Sequence, residues 1–238
     1  RAGSYWRWRM TNLTLQITLR SDGAFGRGDG VAGLIDAEVQ HDEYGFPYIG
    51  GRTLKGLLVE ECANLLFALD RAGLAGSSVN TANDLFGTPG SGLDDFARLR
   101  IGPAELSASL RAVVREEYVG RRAEVMRDEI LPALTAIRRQ TAVDATTGAP
   151  KQETLRTQRV VLRNTQLKAP IGLDPDTNPD NETDRRLLGL LAACVLALRR
   201  GGTDRNRGRG ELTARLFSGD EDVTTTWFDA YFAKEVPA

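Results

Sequence analysis

Hydrophobic and polar residues alternate over residues 13–19, a segment whose sequence is LTLQITL. An alternation with period two predicts a strand that buries one face. The same alternation occurs over residues 97–101 and 212–216, and the β-branched residues around 160–162 also favour a strand. We therefore predict four strands, spread along most of the chain.

Two longer segments, residues 53–70 and 185–200, place apolar residues at helical spacing and predict amphipathic helices. Residues 105–138 are also typical of helix, with a break near Pro132. The order of strand, helix, strands, helix and strand is that of a ferredoxin-like βαββαβ fold with enlarged connections. The pattern therefore predicts an α+β domain in which a four-stranded sheet packs on two helices.

Two polar segments connect these elements. Residues 144–157 contain Gly148 and Pro150, which interrupt any periodicity and predict an exposed loop or hairpin tip. Residues 173–184 are polar and acidic, so they form either a surface loop or a disordered connection.

The composition supports a globular protein with a substantial core, since 41% of its 238 residues are hydrophobic. A formal net charge of -1 excludes a generic cationic coat for nucleic acid. Charge is nevertheless uneven, because residues 151–168 carry five basic side chains and one acidic one, whereas residues 174–184 carry five acidic and no basic ones. A basic surface can therefore exist on a nearly neutral protein.

Both cysteines, Cys62 and Cys194, lie in apolar helical patterns, where a thiol behaves as a small hydrophobic group. We expect buried free thiols in a reducing compartment, and therefore a cytoplasmic protein. No run approaches the ~20 apolar residues of a membrane span, so no membrane partner is expected. The first methionine is residue 10, and we interpret residues 1–9 as a leader or tag-like segment.

Residues 26–56 contain the most informative motif of the sequence. A glycine-rich stretch leads to Asp36, and the later segment GGRTLKG, residues 50–56, opens the first predicted helix. Glycines allow close approach of the backbone to a ligand, and a helix N-terminus with basic side chains favours an anion. The motif therefore indicates a phosphate-binding site.

This motif resembles that of the RAMP superfamily, and within it the backbone subunits of type III CRISPR effector complexes. The matching positions are Gly33, Asp36, Pro47, Ile49, Gly51, Leu54, Lys55 and Gly56. Three further blocks agree with the family and come in its order: residues 84–87 with 97–101, residues 137–143, and a glycine-rich loop at residues 201–210. Together the blocks cover about residues 13–217.

The resemblance implies a ferredoxin-like (RRM-like) core with a large insertion. Residues 10–104 would be the first part of the core and would carry the catalytic loop. Residues 105–171 would be an inserted, thumb-like region that projects against RNA. Residues 172–238 would complete the core and carry the glycine-rich loop.

By the same resemblance, Asp36 is the candidate catalytic residue, and it would hold the expected cofactor, Mg²⁺ or Mn²⁺. Cleavage of this kind uses the 2′-hydroxyl of the RNA as nucleophile, and a metal held by a carboxylate stabilises charge at the phosphate. The alternative is that Asp36 only caps a turn. The neighbouring acidic side chains form either a cation site or a solvated turn; they are Asp29, Glu38, Asp42 and Glu43.

The resemblance and the residue types also predict a set of RNA-binding side chains. Backbone NH groups and a cation can share a phosphate at the start of a helix, and arginines between glycines can bind phosphates with paired hydrogen bonds. The predicted residues are Arg52, Thr53, Lys55, Arg139, Thr141, Arg205, Arg207 and Arg209. A solvated helix end and a flexible basic loop are the alternatives.

We therefore expect a guide-RNA-binding backbone subunit of a type III CRISPR effector complex, with metal-dependent endoribonuclease activity on target RNA. Its partners would be the CRISPR guide RNA, the target RNA and other subunits of the complex, including further backbone subunits. One alternative is a non-catalytic, structural RNA-binding subunit of the same complex. Another is a CRISPR RNA maturation endoribonuclease, but that chemistry uses general acid–base residues and the chain has a single histidine, His41.

Overall fold

The strands form two antiparallel sheets. The larger is a five-stranded sheet of β1 (Leu13–Leu19), β2 (Arg100–Ile101), β5 (Gln166–Gly172), β6 (Leu212–Ser218) and β7 (Glu221–Asp222), in the order β2-β5-β1-β6-β7. The smaller is a hairpin of β3 (Thr135–Gln140) and β4 (Arg156–Val161). The computed structural model describes residues 13–26, 35–74, 76–88, 97–120, 122–144, 146–151, 154–173, 177–178 and 180–235.

Six helices complete this described part of the chain: α1 (Gly51–Arg71), α2 (Ser78–Phe86), α3 (Ala108–Glu117), α4 (Ala123–Leu134), α5 (Glu182–Ala197) and α6 (Thr224–Glu235). α1 and α5 contact each other and the central sheet, and α2 and α6 pack on α5. Because it has neighbours on several sides, α5 buries apolar residues around most of its circumference. None of the described helices is both long and apolar enough to cross a membrane.

The core lies where one face of the central sheet meets these helices. Leu15 of β1 is register partner of Ala169 in β5 and of Leu216 in β6, and all three side chains are fully buried. The alternation in the sequence explains this arrangement, since every second side chain of a strand points to the same face. Full burial of one leucine stabilises the fold by roughly 1.5–3 kcal/mol.

The α+β class predicted from the sequence is confirmed. With the inserted elements set aside, the chain order is β1, α1, β2, β5, α5 and β6, which is the predicted succession of strands and helices. One strand was assigned wrongly. The residues around 160–162 end β4 of the separate hairpin, and the fourth strand of the central sheet is β5, which pairs with β1.

Most of β5 lies within the range 105–171 that was predicted to be the thumb-like insertion, so the segment inserted between β2 and β5 ends before Gln166. The predicted helical range 105–138 contains α3 and α4, but β3 already begins at Thr135. Pro132 does not end the helix, because it lies inside the last turn of α4. The helix ends at Leu134, and Thr135 is extended with φ at -134°. The predicted leader, residues 1–9, lies outside the described residues.

Candidate nucleic-acid interface

The glycine-rich loop, residues 201–210, is closed at its base by backbone hydrogen bonds. Gly201 N donates to Gly210 O (2.9 Å), and Gly210 N donates to Asp22 O (2.9 Å). On the neighbouring side Thr203 N donates to Ala24 O (2.8 Å). The loop is therefore fixed against the segment that follows β1, rather than being a freely moving basic loop.

Asp204 attaches this loop to the β3–β4 hairpin. Its Oδ2 accepts hydrogen bonds from Gln140 Nε2 (2.9 Å) and from Gln158 Nε2 (2.8 Å). Its Oδ1 lies 3.3 Å from Arg207 Nη1. The hydrogen bond from Gln140, followed by that from Gln158 and by the charges of Arg207 and Arg209, lowers the pKa of the Asp204 carboxyl. The loop and both hairpin strands are thus joined at one carboxylate.

The lowered pKa of Asp204 gives a prediction for stability against pH. A carboxyl whose pKa is lowered by folding stabilises the native state above its unfolded pKa, and this contribution is lost as pH falls through the native pKa. We expect Asp204→Asn to cost about 1 kcal/mol of unfolding free energy at pH 7, because charge-assisted hydrogen bonds are replaced by neutral ones. The difference from wild type should therefore begin to shrink below about pH 4, the ordinary pKa of an aspartate, and disappear only below the lowered native pKa.

Urea unfolding at a series of pH values from 3 to 7 measures this difference. Asp220→Asn is the matched control, since Asp220 is exposed on the turn between β6 and β7. An equal loss of stability in both variants, or a loss in Asp204→Asn that is as large at pH 3 as at pH 7, would contradict the role assigned to Asp204.

The three arginines of the loop have different environments. Arg205 forms two hydrogen bonds with Glu60 of α1, at 2.7 and 2.9 Å, and this pairing raises the pKa of Arg205 and lowers that of Glu60. Arg207 is 70% exposed. Arg209 is half-buried, and its Nη1 is buried without a hydrogen-bond partner among the described residues. Arg205 therefore holds the loop on α1, whereas Arg207 and Arg209 line the surface toward the hairpin.

A cavity of about 520 Å³ lies between the loop and the hairpin. It is lined by Gln140, Thr141, Ala142, Val143, Thr154, Arg156 and Arg207. The structure thus brings Thr141 and Arg207 together, as two of the predicted RNA-binding residues. The hydroxyl of Thr141 hydrogen bonds with that of Thr154 (2.8 Å) across the base of the hairpin connection.

Arg139 lies on the face of β3 opposite to that cavity. Its neighbours in the strand, Arg138 and Gln140, point toward the loop segments, where Arg138 binds Asp22 and Gln140 binds Asp204. Since side chains alternate along a strand, Arg139 points away from these contacts. The sequence analysis selected Arg139 and missed Arg138, although the alternation of β3 could have indicated that Arg138 and Gln140 share a face.

The start of α1 carries the other predicted RNA-binding residues. Arg52 and Thr53 are exposed, and Thr53 lines a cavity of about 320 Å³ together with Thr203 of the glycine-rich loop. Lys55 is half-buried, and its burial, followed by the charge of Arg100, lowers its pKa. The first turn of α1 contains no acidic residue. The helix start and the loop therefore face each other, with a cationic side chain on each.

Asp36 is exposed and is anchored to the edge of β4. Its backbone N donates to Thr157 O (2.8 Å), and its Oδ2 accepts from Thr157 N (2.6 Å). One residue further, Arg159 N donates to Ala37 O (3.0 Å). The segment around Asp36 thus pairs with the edge of β4 that β3 leaves open. Asp36 does not cap a local turn; it is held by a strand of the hairpin.

Two of the other acidic side chains of this loop have structural partners. Glu38 is buried and forms an ion pair with Arg159 (2.9 Å). Asp42 accepts hydrogen bonds from the backbone N atoms of Tyr44 (3.0 Å) and Phe46 (2.9 Å), as in a capped turn. Asp29 and the motif position Gly33 lie outside the described residues. These contacts favour a structural acidic turn over a cation site built from these side chains.

Asp36 remains a candidate metal ligand in the described part of this loop. Among the residues that the structure describes, no three His, Cys, Asp or Glu side chains are grouped closely enough to hold a metal ion. Mg²⁺ is often held by one or two carboxylates together with substrate phosphates and water. An exposed carboxylate with one oxygen fixed by Thr157 N therefore fits an ion that is shared with RNA.

Comparisons with known proteins agree with these features. No curated protein is significantly similar to this chain in sequence. Among solved structures, a chain of the type III-B Cmr-beta complex bound to cognate target RNA superimposes with a TM-score of 0.59 at 13% identity, covering 86% of this chain and 96% of that chain. A chain of the apo state of type III-B Cmr-beta gives a TM-score of 0.58 at 12% identity, covering 89% and 100%.

The family comparison extends over most of the sequence. The model of the RAMP superfamily matches residues 16–213. This range begins within β1, ends within β6, and includes the Asp36 segment, the hairpin and the glycine-rich loop. The chain therefore belongs to the RAMP superfamily.

Proposed function

We propose that this chain is a guide-RNA-binding backbone subunit of a type III CRISPR effector complex, and that Asp36 gives it metal-dependent endoribonuclease activity on the target RNA. Membership of the RAMP superfamily supports the first part. The structurally similar chains come from type III-B Cmr-beta, in one case bound to cognate target RNA. Guide RNA, target RNA and other subunits of the complex are accordingly the partners we infer. A cytoplasmic location is part of the proposal, since both cysteines are buried free thiols.

One observation carries the proposal: strand β4 holds both the glycine-rich loop and the Asp36 segment. Gln158 of β4 donates to Asp204 of the loop, and the preceding residue, Thr157, binds Asp36. A strand of RNA held by the arginines of the loop would therefore lie next to the element that positions the carboxylate. Binding by backbone and shape leaves sequence selection to base pairing with the guide.

In this proposal each residue has a separate task. Arg207 and Arg209 bind phosphates, and Lys55 with Arg52 and Thr53 binds a further phosphate at the start of α1. Asp36 would hold Mg²⁺ or Mn²⁺, and the ion, when bound, stabilises negative charge at the scissile phosphate. Thr157 N fixes the orientation of the Asp36 carboxylate. The 2′-hydroxyl of the RNA would be the nucleophile, so the products would end in 2′,3′-cyclic phosphate.

Two alternative functions differ from the proposed one in what they require of Asp36 and His41. A structural subunit without cleavage is favoured by the hydrogen bond that already occupies one oxygen of Asp36. A maturation nuclease would need general acid–base residues, but His41, the single histidine of the chain, is half-buried and its Nδ1 donates to Asp42 O (2.8 Å). Cleavage of complementary RNA by the assembled complex separates the proposed function from both rivals, because only the proposed subunit cuts a paired target.

We predict that copies of this chain assemble along guide RNA in a number that grows with guide length. A subunit of 26.0 kDa covers a limited number of nucleotides, and head-to-tail contacts repeat until something caps them. Leu110 and Val113 of α3 are 46% and 66% exposed, which is the kind of apolar surface that such a contact would bury.

Native mass spectrometry with guides of two lengths measures the number of copies. The control is a DNA oligonucleotide of the same length as the guide. The number of protein copies bound to it should not grow with its length in the same way. A one-to-one complex at both guide lengths would exclude the backbone role and leave a single-copy subunit.

A further inference from the structure

An arginine-lined groove lies on the side of the glycine-rich loop away from α1. It has a volume of about 800 Å³. Five arginines and a single acidic residue line it: Arg20, Arg138, Arg163, Arg207, Arg209 and Asp22. Arg20, Arg138 and Arg163 were not among the predicted RNA-binding residues. They come from the end of β1, from β3 and from the turn between β4 and β5.

Hydrogen bonds fix the walls of this groove. Asp22 Oδ2 accepts from Nε and Nη2 of Arg138, at 2.9 and 2.7 Å, and its Oδ1 accepts from Arg163 N (3.2 Å). Asn164 adopts a left-handed backbone with φ at 66°, and its N donates to Leu19 O (2.7 Å), so the turn that carries Arg163 is tied to the end of β1. The side chains of Arg20 and Arg163 are both exposed.

The groove contains more positive charge than its own carboxylate can neutralise. Asp22 is already paired with Arg138, and Arg207 is paired with Asp204 of the loop. Arg20, Arg163 and Arg209 therefore surround a space with no second acidic side chain in its lining. Guanidinium groups placed together repel each other unless an anion lies between them. In addition, the buried Nη1 of Arg209 finds no acceptor within the described residues, and a buried donor without an acceptor destabilises the protein.

We propose that this groove binds an internal phosphodiester group of the guide RNA, with Arg20, Arg163 and Arg209 as its ligands. The inference rests on the proposed function and names a binding site for it. Guanidinium groups bind phosphate oxygens with paired, charge-assisted hydrogen bonds. Exposed arginines line the groove, so RNA can reach it from solvent, and its lining contains no aromatic side chain on which a base could stack.

The double variant Arg20→Ala/Arg163→Ala tests the site in the full-length chain. Both residues are exposed and neither belongs to the sequence motifs, so the fold should be retained, which thermal unfolding verifies. We expect the affinity for guide RNA to fall about tenfold or more. The slope of log affinity against log salt concentration should decrease by roughly 0.7 for each bound copy, because the groove holds one phosphate and each phosphate contact to single-stranded RNA contributes about 0.7.

Arg71→Ala is the matched control, because Arg71 is an exposed arginine in the last turn of α1. It should leave both affinity and salt slope unchanged. If wild type binds no guide RNA, the result contradicts both the proposed function and the phosphate site. If wild type binds but the double variant has the same affinity and slope, the phosphate site alone is overturned.

Chemically altered guides identify the source of the phosphate. A guide that carries one uncharged methylphosphonate linkage, moved along the strand, should at one internal position per bound copy weaken wild-type binding but leave the double variant unaffected. Removal of the 5′-terminal phosphate should affect both proteins equally. If instead only the terminal phosphate distinguishes wild type from the variant, the groove holds a strand end, and the assignment to an internal phosphodiester is wrong.

Discussion

Cleavage of target RNA falls by about a hundredfold or more when Asp36 is replaced by asparagine or alanine, while guide RNA and target RNA still bind. This is the expected result because loss of a group that stabilises charge in the transition state costs about 10² or more in rate. Asp36 is exposed and belongs to no buried cluster, so its replacement should leave the fold intact. The measurement is single-turnover cleavage of a complementary RNA by the assembled complex.

The two substitutions separate catalysis from structure. Asparagine keeps an oxygen that can accept the hydrogen bond from Thr157 N and removes only the negative charge, whereas alanine removes both. Glu43→Gln is the control, since Glu43 is an exposed acidic residue of the same loop and should have no effect. Cleavage at the wild-type rate by Asp36→Asn, together with loss in Asp36→Ala, would show that Asp36 only anchors its segment to β4.

Metal dependence is the second measurement on the same complex. EDTA should stop cleavage, and Mg²⁺ or Mn²⁺ should restore it in wild type but not in Asp36→Asn. The ends of the products distinguish the reaction from simple hydrolysis, because attack by the 2′-hydroxyl leaves a 2′,3′-cyclic phosphate. Unchanged cutting of the paired target in EDTA would contradict the metal-dependent part of the proposal.

Local patterns in the sequence predicted the elements that bury one continuous face. Residues 13–19 alternate cleanly and form β1, and the apolar faces of α1 and α5 matched the predicted helices. β5 was missed because Lys168 and Pro170 interrupt its β-propensity, although Leu167, Ala169 and Ile171 do alternate. Its place in the sheet comes from pairing with β1, and a single strand does not carry that information.

The short helix α2 and the terminal helix α6 were also missed. The Ser78 hydroxyl of α2 hydrogen bonds with the Tyr231 hydroxyl of α6 (2.7 Å), and both helices pack on α5. Their stability comes from these tertiary contacts more than from a regular apolar stripe. Because α2 and α6 pack on it, α5 is almost completely buried. The sequence had predicted only one buried face for this helix.

The candidate site could be predicted only as far as its motifs extended. The motifs indicated Asp36 and the arginines of the glycine-rich loop. In the structure both segments are hydrogen bonded to the same strand, β4. The sequence could not show that Arg205 is paired with Glu60, since these residues are far apart in the chain. For the same reason the sequence could not show that Arg20 and Arg163 line the same groove.

Gly210→Ala should reduce affinity for guide RNA at least about tenfold, through the shape of the glycine-rich loop. Gly210 has φ at +67°, where an alanine costs about 1–2 kcal/mol, and a Cβ at this position would collide with the carbonyl O of Gly201. The same two residues close the base of the loop through the bond from Gly201 N to Gly210 O. The collision must therefore open the loop and displace Arg207 and Arg209 from the groove.

Gly208→Ala is the matched variant that isolates this steric effect. Gly208 also has a left-handed backbone, with φ at +79°, but a Cβ there would have no heavy atom of the described residues within 4 Å. Both variants carry a similar backbone strain, so Gly208→Ala measures the cost of that strain alone. Gly210→Ala should lose more stability in thermal unfolding because of the added collision, and only Gly210→Ala should lose affinity for guide RNA. Equal affinities for guide RNA in the two variants would mean that the closed shape of the loop does not contribute to binding, and that its arginines act only through their charge.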